Sequence, residues 1–97
     1  MSTLLRVSSW TFFTNHAHVL LSLATEPELR VRDLAVRVGI TERATQRIIG
    51  ELAEGGFVTI ERIGRRNRYT VVRGLPLRHP VEAHRTVGEL VTWLTRP

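Results

Sequence analysis

Apolar residues recur at helical spacing three times in the first half of the chain. Phe13, Ala17, Leu20 and Ala24 follow at steps of four, three and four, the stripe of a helix with one face turned to a core. Val19, Leu21 and Leu23 add apolar surface on its flanks, more than one buried face of a small domain needs. Thr14 or Asn15 is placed to cap the start. Pro27 ends the helix, because a proline disfavours helical backbone in the residue before it. Val31, Leu34, Ala35 and Val38 then predict a short amphipathic helix, stopped at Gly39. Thr41 is a good N-cap for a third helix over residues 41–54. Thr45, Ile48, Ile49 and Leu52 fall on its inner side, and Glu42, Arg43, Gln46, Arg47 and Gly50 on its outer side.

The period then shortens. Residues 57–63 and 69–72 are rich in β-branched and aromatic side chains, and Gly64-Arg65-Arg66-Asn67 between them predicts a hairpin with a four-residue connection. Residues 74–80 contain two prolines and predict a linker, with Pro80 opening a last helix over residues 81–94. The stripe of that helix is His84, Val87, Val91 and Leu94, with Leu90 and Trp93 beside it. Residues 1–9 show no clear period and predict a loosely ordered start. Helix, helix, helix, strand, strand, helix is a mainly α fold with a two-stranded β-hairpin (α+β). It is the order of a winged helix-turn-helix with an extra C-terminal helix. Residues 1–74 would form the winged unit, and residues 75–97 a linker and a dimerisation helix within the same domain.

Composition narrows the chemistry. A chain of 97 residues supports one core. It has no cysteine, which removes disulfides, cysteine nucleophiles and thiolate metal sites and suits a cytoplasmic location. No apolar run approaches the roughly 20 residues of a membrane span, and residues 1–6 lack the apolar core of a signal peptide. The net charge is +5, and all 14 basic residues are arginine. Arginine favours planar, two-point contacts to phosphate and guanine.

Two surfaces stand out. An outward helix face of Thr41, Glu42, Arg43, Gln46 and Arg47 carries the residue types that read base edges in a major groove. Arg62, Arg65, Arg66, Arg68 and Arg73 fall within 12 residues that contain no acid. With Asn67 they form a positive strip suited to backbone phosphates or a minor groove. The partner these surfaces imply is double-stranded DNA. Trp10, Phe12, Phe13, Val87, Leu90, Val91 and Leu94 would pair two copies, placing two reading helices about one turn of DNA apart. His16, His18, His79 and His84 have no metal-ligand spacing, so no metal or other cofactor is expected. No nucleophile set, phosphate loop or acid pair points to an enzyme. A small-molecule effector would need a cavity lined by Trp10, Phe13, His84 or Trp93.

The run from Arg32 to Leu52, then Gly55-Gly56-Phe57-Val58 and Gly64-Arg65-Arg66-Asn67-Arg68-Tyr69, resembles the ArsR and MarR types of winged-helix bacterial transcription regulators. The resemblance covers residues 12–73 and implies dimeric, sequence-specific DNA binding, with residues 41–54 in the major groove and residues 65–68 on the backbone. Arg32 departs from it, standing where such proteins often carry Ser or Thr. The cysteine motifs of arsenic sensors are also missing, so metal sensing does not carry over. The alternative is a non-enzymatic winged-helix module that binds protein or RNA through the same surface.

Overall fold

The computed structural model describes residues 9–96; the expectation for the start of the chain falls almost wholly outside them. Helix α1 spans Asn15–Thr25, and the Thr14 hydroxyl accepts from the Ala17 N–H at its start. Helix α2 spans Val31–Val38 and ends in Gly39 at φ 86°, a left-handed turn that favours glycine. There the N–H groups of Gly39 and Ile40 both reach the Ala35 carbonyl. Helix α3 spans Glu42–Glu54, capped by the Thr41 hydroxyl at 3.0 Å from the Ala44 N–H. Thr45 is fully buried on α3, and its hydroxyl is satisfied by the Thr41 carbonyl at 2.8 Å.

α1 is the centre of the packing: α2, α3, the hairpin and the last helix all rest on it. That changes the reading of its apolar surface. Val19, Leu20 and Leu23 are its buried residues, while Phe13, Ala17 and Ala24 are only half-buried. A helix flanked on several sides buries a broad face, so Val19 and Leu23 are core rather than surplus. Leu34 of α2 and Ile48, Ile49 and Leu52 of α3 close on the same cluster. Each such side chain contributes about 1.5–3 kcal/mol by leaving water.

Strands β1 (Val58–Ile63) and β2 (Arg66–Val71) pair antiparallel, with Val58 opposite Val71 and Ile63 opposite Arg66. The connection is therefore Gly64-Arg65, two residues rather than four. Gly64 takes φ 61° in the first central position, where a type II′ hairpin turn needs glycine. Strand alternation turns Val58 and Tyr69 inward. The hairpin is fastened to the helices: the Phe57 N–H donates to the Leu52 carbonyl at 2.9 Å, and the Tyr69 N–H to the Pro27 carbonyl at 2.8 Å.

Helix α4 spans Val87–Thr95 and starts six residues later than the proline and the apolar stripe predict. Residues 79–85 form turns instead, with the Glu82 N–H on the His79 carbonyl and the Arg85 N–H on the Glu82 carbonyl. Ahead of the helix, residues 85–88 run beside residues 73–77. The Leu77 N–H reaches the Arg85 carbonyl, the Val87 N–H the Leu75 carbonyl and the Gly88 N–H the Arg73 carbonyl, at 2.8–2.9 Å. A Cβ on Gly88 would lie 2.9 Å from the Arg73 carbonyl oxygen, so this approach requires glycine. Thr86 and Glu89 then form a reciprocal capping box. His84 lies outside the helix and is exposed. Val87 and Val91 join the common core.

Candidate nucleic-acid interface

The inner residues of α3 are locked into the core, so its outer face is held rigidly toward solvent. Thr41, Glu42, Arg43, Gln46 and Arg47 are all exposed there. Arg43 and Gln46 make no side-chain hydrogen bond or ion pair among the described residues. Arg47 is drawn along the helix to Glu51, four residues on, with Nη1 3.4 Å from Oε2. Glu51 is held in turn from α1, where His16 Nε2 lies 2.6 Å from its Oε1. The His16 hydrogen bond outweighs the opposing cost of burial and, with help from the Arg47 charge, keeps the Glu51 carboxyl below the usual 4.5. Sequence reasoning missed this His16–Glu51–Arg47 chain. The spacing of Arg47 and Glu51 was a legible signal; the approach of His16 had none.

The wing divides its arginines. Arg65 at the turn and Arg68 on β2 are exposed and make no bond among the described residues. Arg68 is nevertheless the register partner of Glu61, so an acid from β1 faces the strip. Arg62 donates through Nε to the Gly64 carbonyl at 3.0 Å. Arg66 reaches back to the Glu28 carbonyl, in the loop before α2, at 2.7 Å. Asn67 is half-buried and donates to the Tyr69 hydroxyl at 3.5 Å. Arg73 leaves the strip altogether, because its guanidinium bonds the Gly88 carbonyl at 3.1 Å and the Thr92 hydroxyl, both on α4.

The residues expected to pair two copies also separate. Val87 and Val91 are each 3% exposed and belong to the chain's own core rather than to its exposed surface. Phe13 and Leu90 are half-buried. They line an open cleft of about 640 Å³ with Phe12, His16, Leu20 and Phe57. Trp10, His84 and Trp93 do not line that cleft. Phe12 is 88% exposed, Trp93 70% and Trp10 66%, with the Trp10 and Phe12 rings edge to face at 5.1 Å. Leu94 is also exposed.

Among the described residues no cluster of three or more histidines, cysteines or acids is placed to hold a metal ion. His18 pairs with Asn15 Oδ1 at 3.2 Å, and His79 Nδ1 accepts from the Val81 N–H at 3.1 Å. No described helix is long and apolar enough to cross a membrane.

Comparison with known proteins bears on this arrangement. A family model described as "MarR family" matches residues 13–68, which run from the residue before the α1 cap to the wing. The PcaV transcriptional regulator of Streptomyces coelicolor, crystallised with its natural ligand, is 25% identical with a TM-score of 0.54. That match covers 62% of this chain and 45% of the regulator, so the chain spans less than half of that protein's length. A crystal structure of a predicted DNA-binding transcriptional regulator from E. coli is similar over 96% of this chain and 83% of its own. Its TM-score is 0.61 at 16% identity, a likeness of fold. No curated protein sequence matches the chain.

Proposed function

We propose that this chain, which belongs to the MarR family of winged helix-turn-helix regulators, is a sequence-specific DNA-binding transcriptional regulator that acts as a pair of copies. The observation that carries this reading is the free outer face of α3. Among the described residues the side chains of Arg43 and Gln46 have no hydrogen-bond or ion-pair partner on a rigidly seated helix, and neither do those of Arg65 and Arg68 on the wing beside it. In this reading α3 enters the major groove. Arg43 takes guanine through O6 and N7, Gln46 takes adenine, Glu42 accepts from cytosine, and Thr41 lies near the backbone. Arg47 reads bases on release from Glu51. Arg62, Arg65, Arg66 and Arg68 meet phosphates or the minor groove, and Asn67 supports the strand that carries them.

Pairing is supported by Phe12, Trp93 and Leu94, large apolar side chains left in water by the single chain. Such a regulator works in the cytoplasm and catalyses no reaction. Selection of bound fragments from a random pool of duplexes tests the reading. The expected result is enrichment of a two-fold symmetric site whose affinity falls steeply with salt, and a solution mass of two chains. A protein that binds no duplex even at low salt would overturn DNA binding; one that stays a single chain at high concentration would overturn pairing.

A further inference from the structure

Between the start of α2 and the wing lies an open groove of about 360 Å³. Four arginines line it: Arg30, Arg62, Arg65 and Arg66. Glu28 is the acid among the lining residues, and it forms no ion pair with any described residue. The arginines are arranged in an unusual way. Arg62 and Arg66 are fixed by backbone carbonyls, those of Gly64 at 3.0 Å and Glu28 at 2.7 Å. A carbonyl orients a guanidinium without cancelling its charge, and each guanidinium still has N–H donors to spare. Arg30 and Arg65 bond nothing among the described residues. Four like charges thus converge on one concave place against one acid, Glu28, among the lining residues. The hairpin that forms one wall is pinned to the loop before α2 by the Tyr69–Pro27 backbone bond, which ties the two walls together.

We propose that this groove seats one phosphodiester of the DNA backbone and that Arg30, on the α2 side, is an additional DNA-contacting residue. The inference rests on the DNA-binding reading above and adds a located phosphate site to it. The groove shares Arg62, Arg65 and Arg66 with the surface that the wing presents to DNA. An anion carried on a duplex is therefore the occupant continuous with that surface. The arginine forks match the several oxygens of a phosphate.

The test is equilibrium binding of the selected duplex and of a random duplex of equal length, each over a salt series, with the full chain and with Arg30→Gln and Arg30→Lys. Arg30 is exposed and its side chain bonds no described residue, so the variants should fold, which circular dichroism verifies. Arg30→Gln should weaken both duplexes by the same factor, about tenfold at roughly 0.1 M salt, and make the slope of log K against log salt shallower by about 0.9. Arg30→Lys should keep most of the slope. If the parent binds and Arg30→Gln leaves slope and affinity unchanged, this inference falls while the DNA-binding reading stands. If the parent binds no duplex, the reading itself falls. In a further arm, inorganic phosphate replaces chloride at matched ionic strength. Displacement of DNA no better than by chloride supports a backbone phosphate. Saturation of the groove by free phosphate, altered by Arg30→Gln while DNA binding is not, overturns the inference in favour of a small-anion site.

Discussion

On α3, Arg43 and Gln46 bond no described residue through their side chains while Arg47 is drawn to Glu51; on the hairpin, Arg65 and Arg68 bond none while Arg62 and Arg66 each donate to a backbone carbonyl. The two regions look alike as sequence, each a run of arginines with a few polar neighbours. They differ in what restrains them. The α3 arginine is restrained by a carboxylate, which partly neutralises it. The wing arginines are restrained by carbonyls, which aim the charge and leave it intact. Helix α3 therefore keeps the charge of Arg47 adjustable, and the hairpin keeps the charges of Arg62 and Arg66 uncancelled by the groups that hold them. That division suits a helix that discriminates between bases and a hairpin that grips any backbone.

The largest expected effect tests whether both regions depend on one core. Ile48 is 2% exposed on the back of α3, and Ile48→Ala should cost about 2–5 kcal/mol. Denaturant unfolding measures this directly. A loss below 1 kcal/mol would mean that α3 is not seated as described. Next in size is the contrast itself. Arg43→Ala should lose about tenfold or more on the selected duplex and little on random DNA. Arg65→Ala should weaken both equally. Equal losses for Arg43→Ala would break the distinction between reader and grip.

A smaller effect sharpens the account of α3. Gly50 lies on its exposed face, and a Cβ there would meet nothing within 4 Å. Gly50→Ala should therefore stabilise the chain by about 1 kcal/mol. If DNA backbone approaches the helix there, the same change lowers affinity; more stability with unchanged binding would place Gly50 off the interface. The smallest effect concerns Glu51. Its carboxyl titrates below its ordinary value of 4.5, chiefly through the His16 hydrogen bond. The depressed value means that its stabilising contribution is complete above 4.5 and disappears as pH falls through the lower folded value. The parent should melt slightly higher than Glu51→Gln at neutral pH, and the gap should close in acid. A gap that persists well below 4.5 would exclude the carboxylate as its source.

Where backbone chemistry is local, the elements were readable in advance. Gly39 and Thr41 bracket the turn between α2 and α3, and both helices keep their expected bounds to within a residue. The hairpin was legible from its β-branched strands, but its loop length was not, because Arg66 and Asn67 join β2 only through pairing with Ile63 and Arg62. The start of α4 was misplaced for a related reason. Pro80 and the stripe through His84 favour an earlier helix, whereas Thr86-Val87-Gly88-Glu89 is itself a capping signature that went unread. Its competitor was the backbone pairing of residues 85–88 with residues 73–77, a contact with no signature in either segment.

The sequence by itself determined the order of elements, the single core and the concentration of arginine in the wing. Helical period, β-branching, capping residues and charge act over a few neighbouring positions, so they are written in the chain. Only the tertiary structure decided that Val19, Leu23, Val87 and Val91 sit together in the chain's own core, that Glu51 holds Arg47 and that Arg73 serves α4. It also brought Arg30 beside the wing. Those outcomes depend on which distant groups share a surface, and side-chain chemistry alone does not specify its partners.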